Sequence, residues 1–185
     1  MSKPLPELAS IHTIAFDFDG IFTDNKVWVK EDGSESVRCD RGDGLAFDFV
    51  RYFQKQGKLT KDIMILSKET NAVVQQRAKK LKIICQNATD NKLDFMDNYL
   101  KNKKLSQADH WEGFIYIGND LNDLPLMRKA SYGVAPSDAH DKILEIADLV
   151  LHERGGEGFV RAFVEKLLRI NTMTDRELDE LISNC

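Results

Sequence analysis

Three carboxylates fall within eight residues at Asp17-Phe18-Asp19-Gly20-Ile21-Phe22-Thr23-Asp24, directly after the apolar run Ile14-Ala15-Phe16. A short apolar run closed by Gly and polar residues reads as a buried strand that ends in a loop. Asp17 and Asp19 share the same parity on an extended backbone, so both leave the strand on one side. Two carboxylates held that close repel each other and lose hydration on burial. A hard divalent cation relieves both costs, and carboxylate oxygens suit Mg²⁺. The spacing predicts a metal site at the carboxyl end of a strand. Taken alone, an Asp-x-Asp pair is also compatible with a solvated acidic turn.

The elements that must position these groups follow from hydrophobic periodicity. A polar lead over 1–10 precedes a strand over about 12–18. Over 26–39, Val27 and Val29 alternate with polar neighbours, Glu31-Asp32-Gly33-Ser34 supplies turn chemistry and Val37 follows, which predicts a small β-hairpin insertion. Asp43 is placed to cap a helix over 44–56 that presents Leu45, Phe49 and Phe53 on one face and stops at Gly57. A strand over 62–66 leads to Ser67. Val73, Val74, Ala78 and Leu81 mark a second helix, 83–85 a short strand and 91–102 a third helix. The run Phe114-Ile115-Tyr116-Ile117 is another strand, and Pro125 sits where a helix's first turn tolerates it. Short strands over 132–135 and 149–151, a helix over 158–169 and a charged helical tail over 170–185 complete the chain. Strands alternating with helices predict an α/β fold with a mostly parallel sheet and helices on both faces, with ligands bound outside the carboxyl ends of the strands.

With 185 residues and 42% apolar content the chain suits one domain over 1–185. Its net charge of −4 gives no electrostatic footprint for nucleic acid. Its apolar runs fall short of a membrane span and its first residues are not a signal peptide, so the expectation is a cytoplasmic protein. Cys39, Cys85 and Cys185 are widely spaced and odd in number, which fits reduced thiols better than a disulfide framework or a zinc site.

Four segments, in order, then carry a resemblance. They are Asp17 to Asp24; Ser67 after its apolar run; Lys92 within Thr89-Asp90-Asn91-Lys92; and Gly118-Asn119-Asp120-Leu121-Asn122-Asp123 after the 114–117 strand. Together they resemble the motifs of the haloacid dehalogenase (HAD) phosphohydrolases. The resemblance implies a three-layer Rossmann-like fold and hydrolysis through an aspartyl-phosphate. Asp17 would be the nucleophile and Asp19 the general acid and then base. Ser67 would bind a phosphoryl oxygen, and Lys92 would place a cation beside nucleophile and phosphate. Mg²⁺ would be held by Asp17, the main-chain carbonyl of Asp19, and Asn119 or Asp120. Relatives often have Asp where this chain has Asn119, so the ligand here brings an oxygen without a charge. Gly20, Asp24 and Asp123 would support the loops, Asp123 by orienting Lys92 or the metal shell.

Further segments resemble the capless subgroup of that family, which acts on sugar-acid phosphates. These are Arg41-Gly42-Asp43-Gly44-Leu45, Gly118 to Met127, and Arg154-Gly155-Gly156-Glu157-Gly158-Phe159-Val160-Arg161, where Ala162 replaces the usual closing Glu. The subgroup's hairpins build a homotetramer in which a neighbouring subunit helps close each site and takes the place of a cap domain. The loop Ser67-Lys68-Glu69, with Arg77 and Lys80 on the next helix, resembles phosphatases of nonulosonate 9-phosphates, of the sialic-acid type. There Glu69 would meet sugar hydroxyls, and Arg77 or Lys80 the substrate carboxylate, with Arg41 nearby. The resemblance thus implies a nine-carbon 2-keto-3-deoxy sugar acid 9-phosphate on a route to surface glycans. The alternative substrate is 3-deoxy-D-manno-octulosonate (KDO) 8-phosphate, a lipopolysaccharide precursor. A non-catalytic oligomerisation module, like the domain attached to some acylneuraminate cytidylyltransferases, is the alternative of a different class. A receiver-type phosphate regulator does not explain the paired Asp17 and Asp19.

Overall fold

The computed structural model describes residues 3–60, 62–105 and 107–185. Six strands form one parallel sheet: β1 (Thr13–Phe16), β4 (Ile63–Leu66), β5 (Ile84–Gln86), β6 (Phe114–Ile117), β7 (Tyr132–Ala135) and β8 (Leu149–Val150). Their spatial order is β5-β4-β1-β6-β7-β8. The first half of the sheet grows outward from β1 in one direction and the second half in the other. The β1/β6 pair is therefore a topological switch, where loops diverge and leave a crevice at the strands' carboxyl ends.

The strands carry apolar side chains on both faces, as parallel strands covered on both sides must. Ile14, Phe16, Ile63, Ile65, Ile115 and Ile117 face one layer, packed with α1 (Gly42–Lys55), α2 (Ala72–Leu81), α6 (Phe159–Leu167) and Leu181 of α7 (Asp175–Ser183). Ala15, Met64, Leu66, Phe114 and Tyr116 face the other, with α3 (Lys92–Lys101), α4 (Leu124–Met127) and α5 (Asp141–Leu144). The alternation along each strand is the period of two that sorts side chains into opposite layers. The α/β, three-layer architecture is the one expected from the sequence.

β2 (Thr23–Val29) and β3 (Glu35–Cys39) pair antiparallel as a separate hairpin between β1 and α1. Its turn has φ +79° at Gly33, and Asp32 accepts from Ser34 N at 2.9 Å. The hairpin starts earlier than its alternation suggests, at Thr23, because the pairing shifts register between Thr23 and Val27. Helix α1 also departs from expectation. It opens at Gly42, whose N–H donates to Asp40 Oδ1 at 2.6 Å, so Asp43 falls inside the first turn and is buried rather than serving as the cap. Among the described residues no helix is long and apolar enough to cross a membrane, and Cys39, Cys85 and Cys185 are free.

Candidate active site

Asp17 is the first residue beyond β1. Its N–H still donates to Ile117 O at 2.8 Å, so it leaves the sheet held in register with β6. The chain then turns sharply, with Ile21 N and Phe22 N both donating to Phe18 O, at 3.2 and 2.9 Å. Gly20 adopts φ +76° in this turn, and a Cβ there would overlap the amide of Asn119. Glycine thus lets the loop after β1 touch the loop after β6. Thr23 Oγ1 accepts from Gly20 N and from Asn25 N, at 3.2 Å each, and pins both sides of the turn that carries Asp19.

Lys92 opens α3, where Asn91 caps the helix by accepting from Asp94 N. Its Nζ lies 2.7 Å from Asp17 Oδ1, 2.7 Å from Asp123 Oδ1 and 3.3 Å from the Tyr116 hydroxyl. Tyr116 donates to Asp123 Oδ1 at 2.6 Å, and Asp123 Oδ2 accepts from Asn119 N at 2.9 Å and Asp120 N at 3.3 Å. Asp123 is therefore satisfied on both oxygens. It fixes Lys92 and shapes the loop after β6, and it does not face the cleft.

The charges at this floor are unequal. Burial opposes a charge on Asp123, but Lys92 and three hydrogen bonds hold its carboxyl below the usual range. Burial also opposes the Lys92 charge, and Asp17 and Asp123 more than offset it. Asp17 receives less help. Burial and the Asp123 charge push it up to about 8, against the pull of Lys92 and Phe18 N. Two carboxylates share one lysine, so the site lacks one positive charge beside Asp17. Asp19 is raised as well, by burial and by the charge of Glu69, which suits a group that must hold a proton to give away.

Whether Mg²⁺ fits can be read from the donors. Among the described residues no group of three or more His, Cys, Asp or Glu side chains gathers as a ligand cluster. The oxygens that do meet here are mixed. Asn119 is buried, and its Oδ1 has no hydrogen-bond partner, a costly state for an amide oxygen unless a ligand satisfies it. Asp17, Asp19 and Asn119 line the cleft, and their oxygens would suit a small hard cation. Asp120 is exposed at the mouth and caps the turn by accepting from Leu121 N at 2.7 Å. Of the two, only Asn119 has a buried oxygen without a partner.

Ser67 follows β4 and is buried. Its N–H donates to Gln86 O at 2.9 Å, its carbonyl accepts from Thr89 N at 3.0 Å and its Oγ accepts from Glu69 N at 3.0 Å, which leaves the hydroxyl proton to donate. Asp17, Asp19, Ser67, Glu69, Asn119 and Asp120 line one cleft of about 300 Å³. Four more residues line it that sequence reasoning left unassigned: Asn25, Lys68, Thr70 and Asn122. Asn25 holds φ +59° at the foot of the hairpin. Tyr116, a β6 residue, reaches Asp123 with its hydroxyl, and Thr23 holds the turn through Gly20 N and Asn25 N.

Other expected residues lie elsewhere. Asp24 pairs with Arg38 across the hairpin at 3.0 Å, and Arg38 also meets Glu157 at 3.0 Å, so Arg38 ties the hairpin to the loop before α6. Arg41, Arg77 and Lys80 line a different cleft, of about 450 Å³, with Arg51 and Lys82. Arg77 donates to Asp40 O at 2.5 Å and Asp43 Oδ2 at 3.2 Å. Within one chain, then, neither Arg77 nor Lys80 joins the Asp17 cleft. Glu69 does, although its Oε1 already accepts from Asn71 N at 2.8 Å.

The family described as haloacid dehalogenase-like hydrolase matches residues 23–163. A 3-deoxy-D-manno-octulosonate 8-phosphate phosphatase of Salmonella typhi is 30% identical over 174 residues, covering 92% of this chain and 84% of that protein. A solved HAD-family hydrolase from Streptomyces avermitilis superposes with a TM-score of 0.80 at 32% identity, over 94% of this chain and 95% of that one. The Moraxella catarrhalis octulosonate 8-phosphate phosphatase, solved with a magnesium ion, a phosphate ion and a KDO molecule, gives 0.78 at 26% identity, over 96% and 94%. The chain belongs to the haloacid dehalogenase-like hydrolases, in the capless subfamily of the 3-deoxy-D-manno-octulosonate 8-phosphate phosphatases.

Proposed function

We propose that the chain is a Mg²⁺-dependent phosphomonoesterase that cleaves a 2-keto-3-deoxy sugar acid phosphate, with KDO 8-phosphate as its substrate. The observation that carries this is Lys92 bridging Asp17 and Asp123 at 2.7 Å each, beneath a cleft that also holds Asp19 and Ser67. Relatives that cover nearly the whole chain favour the octulosonate over the nine-carbon substrate. The nine-carbon reading keeps one supporting observation, the place of Glu69 on the cleft wall, and loses another, since Arg77 and Lys80 lie outside the cleft in the single chain.

The reaction follows from the residues. An oxygen of Asp17 attacks phosphorus, the bond from phosphorus to the sugar oxygen breaks and Asp19 gives that oxygen its proton. A water molecule then attacks the aspartyl-phosphate while Asp19 takes the water's proton, and free phosphate leaves with Asp17 restored. Ser67 and Lys92 hold the phosphoryl oxygens and the nucleophile in place. Asp17, Asn119 and the Asp19 carbonyl would hold Mg²⁺, which would supply the positive charge the floor lacks.

The hairpin supports self-association. Val27 and Val29, on one face of β2, are 51% and 64% exposed and Trp28, on the other, is 57% exposed; such exposed apolar side chains suit a second copy and are in keeping with a tetramer.

Phosphate release with Mg²⁺ from KDO 8-phosphate and a nonulosonate 9-phosphate, measured side by side with Asp17→Asn as the blank, tests the proposal. Faster release from the octulosonate is expected. Preference for the nine-carbon ester would reverse the substrate assignment and keep the chemistry. Equal, background-level release by parent and variant would remove the enzyme reading and favour the oligomerisation module.

A further inference from the structure

Two walls of the cleft stand on different elements: Glu69 and Thr70 on the loop after β4, and Asn25 at the foot of the β2–β3 hairpin. One residue outside the lining joins them. Asn71 N–H donates to Glu69 Oε1 at 2.8 Å. Asn71 Oδ1 accepts from Val73 N at 3.1 Å and caps α2. Asn71 Nδ2 donates to Glu35 Oε2 at 3.2 Å, on β3 of the hairpin. The cleft loop, the second helix and the hairpin thus meet on a single half-buried residue.

Capping alone does not call for Asn. Ser, Thr and Asp oxygens accept from a helix's first N–H groups about as well, but none of them offers a second atom that donates. The donor is what Asn adds, and Glu35 is what it meets. Glu35 shares a face of β3 with Val37 and Cys39, both of which pack against the apolar core. A half-buried carboxylate at the end of that inward row has lost part of its hydration and needs a donor. The two partners stand 36 positions apart, so the bond is a tertiary tie and not a local turn. At the floor, by contrast, Asp17, Lys92 and Asp123 hold one another without Asn71.

We infer that Asn71 is a positioning residue, which fastens the Glu69 wall of the cleft to the hairpin through Glu35 and so sets the space open to the sugar part of the substrate. This rests on the phosphatase reading of the same cleft and adds the contact that fixes its width. Asn71 acts through Glu69 on binding of the sugar and leaves phosphoryl transfer to the floor. Loss of one hydrogen bond to a charged group corresponds to about tenfold in affinity.

The test uses Mg²⁺-loaded parent, Asn71→Ser and the pair Asn71→Asp with Glu35→Gln, on KDO 8-phosphate and on p-nitrophenyl phosphate, which has no sugar. Asn71→Ser keeps the cap, adds no charge and removes the donor. Its KM for KDO 8-phosphate should rise about tenfold, with kcat, the urea midpoint and both constants for the nitrophenyl ester moving far less. The paired exchange re-forms the same bond with donor and acceptor swapped, and should bring KM back. An unmoved KM in Asn71→Ser overturns the inference and leaves Asn71 a cap alone. An equal loss on both esters, or a raised KM that the paired exchange does not restore, also overturns it. A parent that hydrolyses neither ester is a separate failure, read from the parent alone, that removes the phosphatase reading and this inference with it.

Discussion

Gly155 packs against Gly20 so closely that a Cβ on Gly155 would overlap the Gly20 carbonyl oxygen. Gly20 in turn has no room for a Cβ beside Asn119. The C-terminal glycine turn thus packs backbone on backbone against the Asp19 loop, which in turn packs against the Asn119 side chain, so a segment far along the chain supports the loop that carries Asp19.

Gly155→Ala should displace the Gly20 turn. The expected cost is about 1–3 kcal/mol of stability, typical of overpacking against unyielding backbone, together with a large fall in kcat as Asp19 moves. Urea unfolding and steady-state kinetics on the same preparation check this, and a fully active, equally stable variant would show that the turn yields.

Removing the lysine bridge should be costly. Lys92→Met leaves Asp17 and Asp123 buried without their shared cation, and breaking a buried pair from one side costs about 3–5 kcal/mol. Chemical denaturation measures the loss. Asp123→Asn keeps the shape but sets an NH₂ group against donors on one side of the carboxyl, so it too should cost stability and lower kcat.

Metal binding should distinguish the two ligands proposed for it. Asn119→Ala removes the orphaned oxygen and should weaken Mg²⁺ at least tenfold by calorimetric titration, whereas Asp120→Ala, which loses a cap at the mouth, should change it far less. The reverse ranking would assign the metal to Asp120. Chelation should abolish turnover, and added Mg²⁺ should restore it.

Stability should depend on pH through Asp43. Burial pushes its carboxyl up to about 7, against the pull of Arg77. A raised acid keeps a proton in the folded chain that the unfolded chain has released. Stability therefore falls as pH rises from about 4 to about 7, by at most about 1.4 kcal/mol per unit for one proton. Asp43→Asn should flatten that fall when unfolding midpoints are followed across the window. An unchanged slope would place the proton elsewhere.

Much of the candidate set that lines the cleft was legible in the sequence because parallel strands deliver their following residues to one edge. Asp17, Ser67 and Asn119 each come directly or nearly so after an apolar run, and knowing the strands is enough to bring them together. Pairings between neighbouring helices were not legible. Arg77 meets Asp43 because α2 lies beside α1, a relation between residues 34 positions apart that no local pattern encodes. Tyr116 looked like any strand residue, since the alternation that buries it says nothing about where its hydroxyl ends. Asn25 was missed because its left-handed backbone follows from the Thr23 contact and the hairpin's register shift, neither of which has a periodic signature.

Trapping the covalent intermediate tests the central claim most directly. Enzyme with Mg²⁺ is mixed with KDO 8-phosphate, quenched in acid within a turnover, digested and analysed by mass. One phosphoryl group is expected on the peptide that contains Asp17, absent when Asp17 is Asn, with phosphate release lost in parallel. Phosphate release without a phosphorylated Asp17 peptide, undiminished in Asp17→Asn, would contradict the assignment of Asp17 as nucleophile.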